Sequence, residues 1–317
     1  MQLAGDFGAA LSALAPDFGP SARLALAVSG GGDSYGMLAL AADLLPDRIT
    51  VFTIDHRLRA ASGQECEAVL SACAVRGIPA ERIDLDWPSG VPQSNRQAQA
   101  REARYRVLTA ACAERGLTWL ATAHHADDQA ETFLMRAARG SGLSGLAGVR
   151  ARRRIGELVL LRPCLGMRSE TLHQAARAAG FIPIEDPSNS DPSYDRSGVR
   201  ALLEGTDLLP AERLAAAASH LADAEEALAW LAKEARRTRC WSRGDELRFD
   251  ARGLPSETVL RVVRSVILDL GGELPRGTQA QRLVETLGRG GRASLSNVQA
   301  SGGAVWTFRR ENDPRRA

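Results

Sequence analysis

Leu24-Ala25-Leu26-Ala27-Val28-Ser29-Gly30-Gly31-Gly32-Asp33-Ser34 runs from an apolar stretch straight into a glycine turn, and a second apolar stretch of helical character follows at Tyr35–Leu45. A strand, a glycine-rich turn and a helix N-terminus aim backbone N–H groups and the positive end of a helix dipole at one point. That is a nest for an anionic phosphate. A Walker-type loop places a Lys immediately before its Ser or Thr, and Asp33 stands there instead. A bare carboxylate repels phosphate, so the expected resolution is a divalent ion. Asp33 is read as an oxygen ligand to Mg²⁺, with Ser29, Ser34 and the amides of Gly30, Gly31 and Gly32 on the phosphate oxygens. Pyrophosphate, more than a transferable γ-phosphoryl group, is then the unit held. The plainer alternative is an ordinary βα turn that glycine bends and Asp33 caps.

From Leu24 to about Leu203, short apolar strands alternate with longer helical segments, the pattern of an α/β fold with a doubly wound parallel sheet. Strands are expected at Leu24–Val28, Ile49–Ile54, near Ile83–Leu85, at Trp119–Ala123 and at Leu158–Leu161; helices at Tyr35–Leu45, Gln64–Arg76, Ser94–Arg115, Asp127–Arg139 and Ser169–Ala179. The division expected is a catalytic domain over 1–209, a linker helix over 210–240 and a small α+β domain over 241–317. In that last part Leu247–Asp250, Ser294–Gln299 and Val305–Arg309 read as strands, Ser256–Leu270 and Thr278–Leu287 as helices, and Glu311–Ala317 as a frayed tail.

A chain of 317 residues with 44% hydrophobic and 25% charged residues is globular in composition, which excludes disordered and fibrous classes. Net charge is only +2, yet Lys233 is the sole lysine, and an arginine-dominated cation set is compatible with an RNA partner. Cys66, Cys73, Cys112, Cys164 and Cys240 are scattered and never spaced Cys-x-x-Cys, so reduced core thiols are expected rather than disulfides or a metal site. No window reaches the ~18 uninterrupted apolar residues of a membrane span. A cytoplasmic protein without membrane contact is the expectation.

Ligands of open α/β sheets bind beyond the carboxyl ends of the strands, and three polar clusters fall there. After the second strand come Asp55-His56-Arg57-Leu58-Arg59, where Asp55 and the backbone suit an adenosine and Arg57 and Arg59 suit phosphate; a solvated loop is the alternative. After the fourth come His124-His125-Ala126-Asp127-Asp128-Gln129-Ala130-Glu131. Asp127 and Glu131 lie one helical turn apart, and carboxylates beside a phosphate nest favour Mg²⁺ or a cationic substrate over zinc. Acids at a helix N-terminus also complement its dipole, which leaves the two histidines unexplained. Arg101 and Arg104, three apart on a helix, are placed to meet charge developing in adenylyl transfer. Arg136 and Arg139 lead into a segment from Gly140 and Gly142 to Gly148, expected as a mobile basic loop beside the cleft. The Glu185–Asp191 and Arg196–Arg200 segments form a last polar cluster.

Together, Ser29–Ser34, Asp55–Arg59, Ala100–Tyr105, Thr122–Thr132, Arg136–Gly148, Asp186–Asn189 and Arg196–Arg200 resemble the tRNA(Ile)-lysidine synthetases, a branch of the PP-loop (N-type) ATP pyrophosphatases. The phosphate turn names only the superfamily; the run from Thr122 to Gly148 makes the resemblance specific. It implies an adenine-nucleotide α-hydrolase-like fold and a reaction with ATP, Mg²⁺, free L-lysine and the isoleucine tRNA bearing a CAU anticodon. The C2 carbonyl of the wobble cytidine is adenylated, and the lysine ε-amine displaces AMP. The resemblance implies that Asp127, Asp128 and Glu131 serve lysine or metal, that His124 and His125 lie nearer the reacting centre, and that Arg136, Arg139, Gly140, Gly142, Arg196 and Arg200 meet substrate. One departure is Ser197, where the family pattern has Asn after Arg. Competing readings are a PP-loop tRNA thiolase, whose relatives carry Cys-x-x-Cys motifs, and a degenerate nucleotide- or RNA-binding protein without turnover.

Overall fold

Successive residues of a strand face opposite sides of its sheet, and in β1 (Leu24–Ala27) both sides are apolar: Leu24 and Leu26 belong to one core cluster and Ala25 to another. Burial on both faces is what a helix-covered parallel sheet requires. The computed structural model describes residues 2–57, 62–87, 96–184 and 195–311. In it β1 is flanked by β2 (Ile49–Asp55), beyond which lies β3 (Ala80–Asp84), and by β4 (Trp119–Thr122). Next to β4 comes β6 (Leu158–Leu161), and β5 (Arg152–Ile155) closes the sheet as an antiparallel edge.

One face is covered by α1 (Gln2–Leu14), α2 (Gly32–Leu44), α3 (Ser62–Ala74) and α7 (Ser169–Ala178), which contribute Phe7, Leu38, Val69 and Leu172 to the larger core. The other face carries α4 (Arg96–Glu114), whose Leu108 joins Phe52 and Leu120. The sheet is therefore doubly wound, and the strand order reverses at β1, between β2 and β4. The crevice at the carboxyl ends of β1 and β4 is the switch point at which such folds take their ligands.

The chain forms two compact units, Met1–Ala222 and Asp223–Ala317, with the division falling inside α9 (Ala211–Arg239). The second unit has a five-stranded antiparallel sheet in the order β7-β8-β11-β10-β9, formed by β7 (Cys240–Arg243), β8 (Glu246–Phe249), β9 (Arg292–Leu295), β10 (Val298–Ser301) and β11 (Trp306–Arg310). Val262, Val263 and Val266 of α10 (Ser256–Asp269) and Leu283 of α11 (Gly277–Gly288) pack with Phe249 and Phe308.

Several elements differ from the sequence reading. Ser294–Gln299 is not one strand but a hairpin, because Ser296 and Asn297 both take positive φ (52° and 61°) and turn the chain between β9 and β10. β5 is a strand that the sequence reading does not include. The loop expected to be mobile beyond Arg139 contains a helical turn, α6 (Leu143–Leu146), and is tied to α5 (Ala126–Ala138): Arg136 donates to the Gly145 carbonyl (2.8 Å), and Gln129 bonds both the Val149 N–H and its carbonyl (2.7 and 2.9 Å). Gly140, at φ +65°, ends α5 as a left-handed cap. The Arg196–Arg200 part of the last polar cluster lies in a helix, α8 (Asp195–Glu204).

The packing of α2 on α7 admits no side chain at Gly36, where a Cβ would lie 2.2 Å from the Leu172 carbonyl oxygen; beside it Tyr35 stacks on Phe181 at 4.7 Å. Gly198 in α8 faces open space. Alanine gains about 1 kcal/mol over glycine in a free helix position, whereas overpacking costs about 1–3 kcal/mol. Urea denaturation of Gly36→Ala is expected to show a loss of about 1–3 kcal/mol and that of Gly198→Ala a gain of up to about 1 kcal/mol; equal effects would show that the α2–α7 contact is looser than described.

Candidate active site

The turn after β1 is organised by Ser34. Its hydroxyl donates to the Gly31 carbonyl (2.9 Å) and accepts the Ser29 N–H (3.2 Å), which closes the turn on itself; Ser34 is buried. Gly30 has φ +88°, and a Cβ there would strike Ile184, so glycine is required on both counts. No side chain caps α2, and the first-turn N–H groups of a helix have no intrahelical acceptor. The nest is thus built of main chain, with Ser34 shaping it and the Ser29 hydroxyl 3.3 Å from that of Ser34.

Asp33 extends from the first turn of α2 toward α5 and α7. Its Oδ1 accepts the Ser169 hydroxyl (2.6 Å) and lies 3.4 Å from His173 Nε2; its Oδ2 lies 3.5 Å from His125 Nε2. Burial opposes ionisation of Asp33, but His125, Ser169 and His173 outweigh it and hold the carboxyl below its usual range.

His125 is the N-cap of α5 and is enclosed by acids. Nδ1 lies 3.4 Å from Asp127 Oδ2, Nε2 lies 3.4 Å from Asp128 Oδ2, and the Asp128 carboxylate also accepts the His125 N–H (3.2 Å). Burial favours the neutral ring, yet Asp127, Asp33 and Asp128 overcome it and push the imidazole up to about 10. At neutral pH His125 is therefore a cation that holds three carboxylates together. Asp127 is further fixed by the Ser169 N–H (2.8 Å) and by Arg168 (2.9 Å), and against its burial these and His125 keep it well below the carboxylate range.

Other expected site residues fall elsewhere. His124 Nδ1 lies 2.9 Å from the Thr122 hydroxyl, and its Nε2 lies 3.5 Å from Arg101, whose guanidinium also covers the Tyr105 ring. Arg104 is half-buried, and burial lowers its pKa. Glu131 is buried and accepts Arg200 Nε at 2.8 Å, so these two residues meet each other across α5 and α8. Asp55 is committed to its own loop: it accepts the Arg57 N–H (2.8 Å), the Ser62 hydroxyl (2.5 Å) and Arg82 (2.8 Å). Arg136 is spent on the Gly145 carbonyl, Arg139 is the C-cap of α5, and Gly142 is the N-cap of α6. Arg59 and Asp186–Asn189 lie outside the described residues, as does the side chain of Arg196.

Ser169, His173 and Arg168 were not singled out from sequence. Their signal is that they follow β6, the next strand of the same rim, with Ser169 and His173 one turn apart.

Asp33 has no guanidinium partner among the described residues; its neighbours are the imidazoles of His125 and His173 and the Ser169 hydroxyl. No group of three or more His, Cys, Asp or Glu is arranged to cage a metal among those residues. A single carboxylate beside a phosphate nest nevertheless fits Mg²⁺, which is typically held by one or two carboxylates with substrate phosphates and waters.

The PP-loop domain family matches residues 6–205. A tRNA(Ile)-lysidine synthase of Novosphingobium aromaticivorans is 40% identical over 308 residues, 93% of this chain and 91% of that protein. The chain belongs to the tRNA(Ile)-lysidine synthase family. The Zymomonas mobilis member is 37% identical, with 92% of this chain and 89% of that protein aligned. Among solved structures, a U34-tRNA thiolase from Methanococcus maripaludis with its [4Fe-4S] cluster superposes with a TM-score of 0.57 at 17% identity, over 69% of this chain and 79% of that one. That likeness is one of fold. In this member of the lysidine synthase family Cys66, Cys73, Cys112 and Cys164 are buried, and burial pushes the Cys73 and Cys112 thiols up to about 11.

Removing Arg200 takes one charged partner from the buried Glu131 carboxylate. Because the Arg200 side chain is 44% exposed, the expected loss in Arg200→Ala is discounted to about 2 kcal/mol, and Glu131→Gln should restore most of it. A double-mutant cycle in urea measures the coupling; additive losses would mean that the pair contributes nothing.

Proposed function

We propose that the protein is a tRNA(Ile)-lysidine synthase, an ATP-dependent ligase joining lysine to C2 of the wobble cytidine in the isoleucine tRNA with a CAU anticodon. The observation that carries this reading is the convergence of Asp33, from the phosphate turn, with Asp127 and Asp128, from α5, on one protonated His125. Family membership supports it independently.

In this reading the cytidine O2 attacks the α-phosphorus of ATP, and pyrophosphate leaves into the nest of Gly30–Gly32 amides. Asp33 would hold Mg²⁺, which when bound neutralises the departing diphosphate. Arg101, which meets His124, would face the negative charge that develops. The lysine ε-amine then bonds to C2 as the C2–O2 bond breaks, and AMP departs with that oxygen. Asp127 and Asp128 supply the negative field that holds the amine, and its proton passes to an acceptor in the His124–Asp128 segment. The product reads AUA instead of AUG.

The second unit is assigned to tRNA contacts. Exposed Arg289, Arg292, Arg309 and Arg310 on β9, β11 and the end of α11 support that assignment, since guanidinium groups suit phosphodiesters. No helix among the described residues is long and apolar enough to cross a membrane. We assign the protein to the cytoplasm, where its tRNA and ATP are found.

Incubation with ATP, Mg²⁺, labelled lysine and the CAU-anticodon isoleucine tRNA should fix label in the RNA and release AMP. Asp33→Asn should remain folded and lose AMP formation by about a hundredfold or more. Sulfur incorporation, or tight ATP binding without AMP release, would overturn the reading.

A further inference from the structure

Ser169 touches both halves of the site with different atoms. Its hydroxyl donates to Asp33 Oδ1 at 2.6 Å, and its backbone N–H donates to Asp127 Oδ2 at 2.8 Å. Asp33 belongs to the turn after β1, Asp127 to the helix after β4, and Ser169 to neither. The residue is itself firmly placed. It opens α7, its neighbour Arg168 holds Asp127 Oδ1 (2.9 Å), and the Met167 carbonyl accepts the Ala126 N–H (2.7 Å). Behind it α7 is clamped to α2 at Gly36, and His173, one turn on, occupies the space where Gly32 would carry a Cβ.

We infer that Ser169 is the positioning residue that sets the pyrophosphate site and the lysine site in register, the hydroxyl fixing Asp33 and the N–H fixing Asp127. This rests on the proposed function for the identity of the two ligands. The geometry makes the two bonds separable. Ser169 is the first residue of α7, a position where the N–H has no intrahelical partner and where proline is accommodated. Arg168 before it has φ −78° and ψ 149°, the conformation that a residue preceding proline adopts. Ser169→Pro thus removes the N–H bond to Asp127 together with the hydroxyl. Ser169→Ala removes the hydroxyl and keeps the N–H, and Ser169→Thr keeps both.

The three variants are to be read by calorimetric titration with Mg-ATP and, separately, with lysine, and by KM for each in the labelling assay. A hydrogen bond to a charged group corresponds to a change of about tenfold. Ser169→Ala is expected to weaken Mg-ATP about tenfold while lysine stays within about twofold; Ser169→Thr should restore Mg-ATP; and Ser169→Pro should add a loss of about tenfold in lysine. Unchanged Mg-ATP binding in Ser169→Ala overturns the inference, as does an equal loss of both ligands there. The Ala and Thr pair decides this alone, so a proline variant that does not fold leaves the inference open to refutation. A wild-type protein that binds Mg-ATP but makes no lysidine would overturn the proposed function, while the nucleotide titrations would still decide what Ser169 does to Asp33.

Discussion

One imidazolium among three carboxylates is the constraint around which the catalytic unit is arranged. Asp33, Asp127 and Asp128 come from two separate segments, and gathered without a cation they would repel one another in a partly desolvated space. His125 removes that repulsion, and as the N-cap of α5 it does so from a backbone position that cannot drift. Asp33 and Asp127 also sit in first turns of helices, where the dipole favours negative charge. Acid-rich chemistry thus stands next to a site for a polyanion, with each charge answered by a neighbour.

Residue type alone did not show which partners the fold brings to each of these acids. Asp55 follows a strand on the same rim as Asp33, yet its oxygens accept Arg57, Ser62 and Arg82 and stabilise a loop whose Arg57 takes a left-handed φ of 50°. Glu131 lies one turn beyond Asp127 but points into the packing of α5 against α8, where Arg200 donates to it at 2.8 Å. The difference lies in what the rest of the chain brings to each carboxylate. Asp33 meets imidazoles and a hydroxyl, whereas Asp55 and Glu131, like Asp127 with Arg168, each meet a guanidinium group.

Much of the catalytic unit was legible because its signals are local. The apolar run into Ser29–Ser34 carries its own turn chemistry, and α5 carries its acids at its start, so both could be placed without knowing their neighbours. Ser169 and His173 were not legible, because the spacing of Leu172 and Ala176 reads only as a helix with one buried side, and the partner Asp33 lies 136 residues away from Ser169. The Glu131–Arg200 pair spans 69 residues and was hidden for the same reason. β5 escaped notice because three arginines in succession look like a solvated loop, and only pairing with β6 makes them a strand. The hairpin at Ser296-Asn297 was missed because Asn-Gly, the usual dipeptide signal, is absent there.

That run of Arg152, Arg153 and Arg154 has a further consequence. β5 ends the six-stranded sheet, with no strand among the described residues on its outer side, and all three side chains are exposed. A bare rim of this kind invites strand-by-strand growth into aggregates, and natural sheets commonly defend it with charge. Two copies meeting rim to rim would bring six guanidinium groups together. The same side chains that disguise the strand in the sequence therefore guard the sheet against fibril-like association.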